Sequence, residues 1–324
     1  MGMWQWVERG GRMDIIAGQI KSHELAYPGS LPDLRACAKL CACVDWGGQD
    51  SRAEFSSLAI LLVDEHGCEG WYGLREQLRR EYLPDGRRLS YKDLSDRVCQ
   101  QALPSFLVAA DAIPGLLFTV LVDRKIQTLT GEPLPPKVDF ADAIFGRDDY
   151  RRLELTAQFL GFLLAGLSGP GQPGQLILDE DAIVANQSQK TAVCTALALV
   201  MNDLLPHKLG GWTVSDAACA RDRLLVEGLL ALPDLAAGAL SELASRDSRI
   251  RSGASEGSTP PGDPSLLKPK TRATLHWLGV GQQPLKRLAL VIRGDGDSER
   301  SVIAQLLGLE TPAPHPGGAS AGGS

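Results

Sequence analysis

The chain has 324 residues, of which 44% are hydrophobic and 22% charged, and its formal net charge is −6. This composition is that of an ordinary globular protein with enough apolar residues for a substantial core, in one large domain or two small ones. The negative charge argues against a broadly basic surface that coats nucleic acid, although a local basic groove and an acidic site that collects divalent cations are both compatible with it.

The seven cysteines lie largely in apolar contexts, and an odd number of buried cysteines indicates reduced thiols and a cytoplasmic location. No apolar segment typical of a secretory signal precedes residue 40. The apolar runs at 106–122 and 159–167 are interrupted or too short, because a membrane helix needs about 20 apolar residues. The sequence therefore predicts a cytoplasmic protein without a membrane segment, and no pattern in it indicates an oligomeric state.

In chain order, residues 39–44 predict a buried strand that delivers Asp45 into a glycine turn, and residues 55–64 predict the second strand of a hairpin. Further strands are predicted where apolar runs are bounded by turn residues, at 68–72, 115–122, 175–178, 212–214 and 288–292. Helices are predicted where apolar residues recur at helical spacing, at 74–82, 94–103, 150–167, 187–205, 222–230, 233–245 and 298–307.

Other stretches lack such periodicity. Residues 124–149 contain several prolines and predict a long loop, and residues 246–270 are rich in Ser, Gly and Pro, which is typical of a flexible linker. The predicted organisation is a loosely ordered leader, a main domain, a flexible linker, a small C-terminal extension and a disordered tail, at 1–36, 37–245, 246–270, 271–310 and 311–324.

Acidic residues follow several predicted strands: Asp45, Asp179 and Asp216 stand at strand ends, and Asp234 stands in the first turn of a helix. Carboxylates that converge from separate elements cannot all stay ionised without compensation, which Mg²⁺ or Mn²⁺ supplies. Two such ions about 3.5–4 Å apart activate a water and stabilise the leaving oxygen of a phosphodiester. Each aspartate alone is more typical of a cap or turn, and Asp216 in particular is interpreted as a helix cap. Only the joint pattern favours a metal site.

Lys92 and Trp46 each have two alternative roles. Lys92 offers a point charge for a scissile phosphate, although a solvated loop lysine is the commoner occurrence. Trp46 offers a ring on which a base could stack, although a tryptophan that packs over a glycine turn is commoner.

Several familiar motifs occur, but the predicted elements around them do not fit the function of the motif. Residues 169–174 match G-x-G-x-x-G but follow a helix and precede a strand, the reverse of a dinucleotide site. Residues 253–257 match a nucleophile elbow but lie in the predicted linker. A zinc site remains a remote alternative, with candidate ligands Cys37, Cys41, Cys43, His66 and Cys68.

The sequence resembles a known family at four places. Residues 44–48 (Val-Asp-Trp-Gly-Gly) resemble the Val-Asp-Glu-Ser-Gly hallmark of a large, mostly uncharacterised bacterial family, domain of unknown function 3800. Residues 232–239 (Leu-Pro-Asp-Leu-Ala-Ala-Gly-Ala) are similar to its closing signature, and Asp179 stands where the family keeps an acidic residue after its fourth strand. Residues 91–94 (Tyr-Lys-Asp-Leu) are similar to a short lysine-containing motif. The resemblance covers residues 38–245.

This resemblance implies an α/β, RNase H-like mixed sheet flanked by helices. It also implies a metal-dependent nuclease in which Asp45, Asp179 and Asp234 hold Mg²⁺ or Mn²⁺. Asp216 is a further candidate ligand and Lys92 a candidate catalytic residue.

The family motif is altered here, because Trp46 and Gly47 replace Glu and Ser and Pro233 replaces Ala. If the missing glutamate contributes to metal binding, the change weakens or abolishes activity. Two functions therefore remain open: a metal-dependent nuclease or related phosphoryl hydrolase, and a non-catalytic RNase H-like module that binds nucleic acid or a partner protein. A purely structural subunit is a third class.

Overall fold

Seven strands of the described residues form a single sheet. The computed structural model describes residues 3–47, 53–130, 145–178, 186–216, 223–246, 267–280, 283–295 and 298–307. The strands, in chain order, are β1 Leu40–Gly47, β2 Phe55–Asp64, β3 Gly115–Asp123, β4 Gly174–Leu178, β5 Trp212–Asp216, β6 Leu285–Asp295 and β7 Ser298–Leu306.

The sheet is mixed, with the strand order β5-β4-β1-β2-β3-β6-β7. β2 runs antiparallel to β1 and β3, whereas β4 is parallel to both β1 and β5. β6 is parallel to β3, and β7 returns antiparallel to β6. β1, β3, β4, β5 and β6 therefore all end at one end of the sheet, which we call its C-terminal end.

Helices cover both faces of this sheet. They are α1 Arg12–Ala26, α2 Glu69–Tyr82, α3 Arg97–Ala110, α4 Arg147–Leu167, α5 Gln187–Leu204, α6 Arg223–Arg246 and α7 Pro269–Gly279. One apolar cluster joins α1, α4 and α5 to one face, and a second joins α2, α3, α6 and α7 to the other. Since successive side chains of a strand point to opposite faces, an interior strand buried on both reads as a continuous apolar run. The predicted RNase H-like mixed sheet flanked by helices is confirmed.

The C-terminal strand corrects one prediction. Residues 298–307 were expected to be helical, whereas β7 pairs with β6 and places Ile303 opposite Arg293. Val302 and Ala304 are buried and Ile303 is 44% exposed, which is the alternation of a strand with one covered face. The predicted C-terminal extension therefore contributes α7, β6 and β7 to the same structure.

Two prolines that were expected to mark helix ends lie inside helices. Pro104 lies within α3, and Pro233 lies within the continuous helix α6 rather than opening a new one. An interior proline costs about 3 kcal/mol because it removes one hydrogen bond and crowds the preceding turn. Both helices bury apolar residues on either side of the proline, including Leu232 and Leu235 in α6, and this packing offsets the cost.

The strand predicted at 68–72 is also wrong, because α2 begins at Glu69. Trp71 is fully buried and makes an edge contact with Phe106 of α3, with ring centroids 5.4 Å apart. Its burial against a helix, rather than pairing in the sheet, explains the apolar character that suggested a strand.

The N-terminal region is more ordered than the predicted leader, since it contains α1 and buries Trp4 to 7% exposure. Most of the predicted linker (247–266), the predicted tail (311–324) and residues 131–144 of the predicted loop lie outside the described residues. Within the described part of the chain, no helix combines the length and apolar character needed to cross a bilayer.

Candidate functional site at the C-terminal end of the sheet

Asp45 lies near the end of β1, an interior strand, opposite Ala59 of β2. The parallel pairing of β1 with β4 reaches Val44 and Leu178, and that of β4 with β5 reaches Leu178 and Asp216. Three neighbouring strands therefore end together beside Asp45. Ligands of open α/β sheets bind at such a position, outside the carboxyl ends of the strands.

The half-buried side chain of Asp45 belongs to the face covered by α6. Cys41 and Cys43 lie in the apolar cluster on that face, whereas Val44 and Trp46 lie in the cluster on the opposite face. Residues at odd positions of β1 therefore share one face. This geometry directs Asp45 toward the layer that contains α6.

Trp46 is a packing residue in this structure. Its side chain is 6% exposed and its indole Nε1 donates a hydrogen bond of 3.0 Å to Thr156 Oγ1 in α4. A ring held in this way offers no face on which a base can stack. The predicted stacking role is therefore not available to Trp46, and its observed role is packing against α4.

Gly47 brings α6 into direct contact with the end of β1. A Cβ at this position would lie 2.6 Å from the carbonyl oxygen of Ala237 and 2.5 Å from Ser57 Oγ. Ser57 Oγ donates a 2.7 Å hydrogen bond to the same carbonyl. Only glycine leaves room for this close approach between helix and strand.

Asp234 lies one helical turn before Ala237 on α6, and it is half-buried. Its Oδ2 accepts a 2.6 Å hydrogen bond from the backbone N–H of Tyr91. Gly238, four residues later, leaves room for the Tyr91 ring, since a Cβ there would lie 2.3 Å from it. Residues four apart share a helix face, so one face of α6 holds both the backbone and the ring of Tyr91. The two motifs at residues 91–94 and 232–239, both noted in the sequence, are therefore in direct contact.

The Tyr91 contacts extend to α7. The Tyr91 hydroxyl donates to Glu242 Oε2 at 2.8 Å and lies 2.8 Å from Thr271 Oγ1. Lys270 Nζ donates to the Tyr91 carbonyl at 2.5 Å and lies 4.2 Å from the centre of its ring. We call Tyr91 with Asp234, Gly238 and Glu242 of α6 and Lys270 and Thr271 of α7 the Tyr91 clamp. It fixes the turn that carries Lys92.

Burial and hydrogen bonding both affect the pKa values of the clamp residues. Burial raises the pKa of Tyr91 well above its ordinary value. Burial also acts to raise the pKa of Glu242, but hydrogen bonds from Tyr91 and Thr271 outweigh it, and the pKa is lowered. The pKa of Lys270 is lowered, first by burial and then by the neighbouring Lys268.

Replacing Glu242 with glutamine is expected to remove a pH-dependent part of the stability. Because the pKa of Glu242 in the folded state is below its ordinary 4.5, the carboxylate stabilises the fold above that pH and loses this effect as the pH falls through the folded value. Wild type should exceed E242Q in free energy of unfolding by about 1–3 kcal/mol at neutral pH, and the difference should shrink below pH 4.5. Urea denaturation over a pH series measures it, and a difference independent of pH contradicts the expectation.

The five predicted site residues are only partly described. Asp45 and Asp234 belong to the same side of the sheet, and Lys92 is exposed in the turn beside Tyr91. Asp216 is the last residue of β5, but its side chain lies outside the described part, and Asp179 lies outside it altogether. In the described ranges, no three His, Cys, Asp or Glu side chains form a group that could hold a metal. The predicted three-carboxylate arrangement needs Asp179, so it stays a prediction.

The cysteines suggest no zinc site in the part of the chain that the structure describes. Cys41, Cys43 and Cys68 are buried in the apolar cluster beneath α6, and no group of three metal ligands occurs among the described residues. Burial, with nearby acidic groups, raises the pKa of Cys68 to about 12. Such a thiol stays protonated and unreactive at neutral pH.

The sequence interpretation missed Glu242 of α6 and the α7 part of the clamp. Glu242 was detectable, because it follows Asp234 by eight residues and therefore lies on the same helix face. Lys270 and Thr271 were not detectable, since they lie beyond the predicted linker and no local pattern relates them to Tyr91. A cavity of about 590 Å³ between α5 and β5 is a separate feature, lined mainly by apolar residues, and includes neither Asp45 nor Asp234.

The strand order defines an α/β protein with an RNase H-like mixed sheet. No protein-family model matches the sequence, and neither does any curated protein. Among solved structures, a similar chain is that in the crystal structure of the ribonuclease H2 from Pyrococcus horikoshii OT3, with 15% identity and a TM-score of 0.29 over 73% of this chain and 85% of that chain. A likeness at this level implies nothing about activity. The family resemblance noted in the sequence therefore stays a prediction.

Proposed function

We propose that this protein is a Mg²⁺- or Mn²⁺-dependent nuclease, or a related phosphodiester hydrolase, with its site at the C-terminal end of β1. The observation that carries the proposal is the position of Asp45, a half-buried carboxylate at the end of an interior strand that faces the helix carrying Asp234. A rigid strand end beneath a helix fixes the position of a reactive group better than a loop does.

The donor chemistry of this site fits the proposed ions, because hard divalent cations take carboxylate oxygens as ligands. Asp45 and Asp234 would hold the metal together with Asp179, with Asp216 as a further candidate ligand. When bound, the metal activates a water for in-line attack on the phosphodiester.

The chain's own residues orient this site. The hydrogen bond from the Tyr91 N–H fixes one oxygen of Asp234, as partners of metal ligands commonly do. The same contact holds the turn that presents Lys92, which contributes a positive charge toward a bound phosphate.

A second candidate function is a non-catalytic RNase H-like module that binds nucleic acid or a partner protein. The observation that favours it is the burial of Trp46 on the opposite face of the sheet, hydrogen-bonded to Thr156. This residue replaces the glutamate of the motif that the sequence resembles, so position 46 supplies no ligand to the site.

Replacing Asp45 with asparagine is expected to lower metal-dependent cleavage by more than about 100-fold, because the substitution removes a charged ligand from the proposed site. The assay uses single- and double-stranded DNA and RNA with Mg²⁺ or Mn²⁺, and EDTA as the metal-free reference. The exposed Asp33, whose side chain is 53% accessible, provides the matched control D33N.

Cleavage by D45N at the wild-type rate would remove the proposed mechanism. A wild-type protein that binds an oligonucleotide in EDTA but cleaves none of the four substrates would favour the binding module instead. Denaturation curves of both variants exclude a loss of folding as the cause.

A further inference from the structure

Helix α7 carries no acidic residue, and its exposed stripe is basic. The exposed residues Lys268, Arg272 and His276 follow one another at intervals of four, beginning at the residue that caps the helix. The opposite side is buried against α3 and α6 through Thr271, Leu275 and other residues. We call Lys268, Arg272 and His276 the α7 ridge. It stands out on a chain whose net charge is −6.

The ridge lies beside the Tyr91 clamp. Lys268 Nζ is 3.5 Å from Glu242 Oε2, and Arg246 Nε is 3.5 Å from Glu242 Oε1. The Lys268 and Arg246 side chains nevertheless stay 58% and 45% exposed. Lys92 is exposed in the adjoining turn. Cations from three separate segments therefore gather around the Tyr91 clamp, two of them at Glu242.

The cations at the start of this ridge do not serve the stability of α7. Cations at the start of a helix oppose its dipole, which favours acidic residues there. Exposed ion pairs such as that of Lys268 contribute little, about 0–1 kcal/mol. A function in binding anions accounts for the basic residues, whereas packing does not.

We infer that the α7 ridge, with Lys92 and Arg246, is a docking surface for the phosphodiester backbone of a nucleic-acid strand that leads to the site at Asp45. This inference rests on the proposed function and deepens it. Residues four apart on a helix lie about 6 Å from one another, so the ridge presents two cations and then an imidazole at regular spacing. Such spacing suits a strand with one charge per nucleotide better than an acidic peptide with irregular charges. Contacts of this kind position a strand without reading its sequence.

The test measures binding without cleavage, with a fluorescent single-stranded oligonucleotide of about 20 nucleotides in EDTA over a series of salt concentrations. K268Q/R272Q is expected to weaken binding about tenfold or more near 0.1 M salt, because two phosphate contacts are lost. The slope of log affinity against log salt should fall in magnitude by about 1.4 for the same reason. K21Q/R80Q removes two exposed cations from α1 and α2 and is the matched control, expected to bind like wild type.

Equal weakening by both double variants would overturn the inference, as would a wild type that binds polyglutamate or anionic vesicles but no oligonucleotide. The two proposals fail separately. If the wild type cleaves none of the substrates and K268Q/R272Q has a reduced salt slope, the ridge is supported and the nuclease is refuted. Normal cleavage with an unchanged slope in K268Q/R272Q refutes the ridge alone.

Discussion

Replacing Gly47 with alanine is expected to lower the free energy of unfolding by about 2–3 kcal/mol. The new Cβ would lie 2.6 Å from the Ala237 carbonyl oxygen and 2.5 Å from Ser57 Oγ. The carbonyl belongs to the backbone of α6, so the helix as a whole must move away from β1. Because α6 also carries Asp234, the same displacement separates Asp234 from Asp45. Urea denaturation measures the stability, and the slope against denaturant should stay unchanged.

Gly73 offers the matched control, since it lies in α2 with open space where a Cβ would be placed. G73A is expected to be neutral or to stabilise by up to about 1 kcal/mol, because alanine favours helix. Adding S57A to G47A removes one of the two obstacles and should recover only part of the loss. If G47A is as stable as G73A, α6 does not contact the end of β1 as described.

Replacing Arg287 with methionine is expected to destabilise the protein by about 3–5 kcal/mol, which is the cost of breaking a buried ion pair. The Arg287 side chain is 2% exposed and donates a 2.5 Å hydrogen bond to Asp111 Oδ1. It also donates to the Val280 carbonyl and lies over the Trp277 ring, whose Nε1 donates to the same Asp111 oxygen at 2.8 Å. These contacts join the ends of α3 and α7 to the start of β6.

A double-mutant cycle separates the pair from its surroundings. D111N/R287M should lose about 0.5–3 kcal/mol less than the two single variants added together, because each single change already removes the shared contact. R80M on the exposed side of α2 is the control and should stay within about 0.5 kcal/mol of wild type. An R287M protein as stable as R80M would contradict the buried pair.

The interior of the sheet was predictable from local sequence. β1, β2 and β3 are buried on both faces, so each appears as an apolar run bounded by turn residues. The edge strand β7 was not predictable in the same way, because its apolar residues alternate over a short span that also fits a helix. Pairing with β6 decided its conformation.

The candidate site also has one feature that local sequence predicts and one that depends on distant contacts. Asp45 at a strand end is a local feature, since the apolar run and the glycine turn that place it are adjacent in the chain. The role of Asp234 as an anchor for Tyr91 is not local, because 143 residues separate the two partners of that hydrogen bond. Nothing within either segment indicates the other.

By itself, the sequence determined the interior strands and the position of Asp45 at the end of β1, because these depend on residues that are neighbours in the chain. The class of fold came from the family resemblance. Only the tertiary structure decided that α6 lies against Gly47, that Tyr91 is held between α6 and α7, and that the basic stripe of α7 lies beside Glu242 of the Tyr91 clamp. Those contacts depend on how distant helices pack against one face of the sheet, and close packing is a property of shapes in three dimensions rather than of any local pattern.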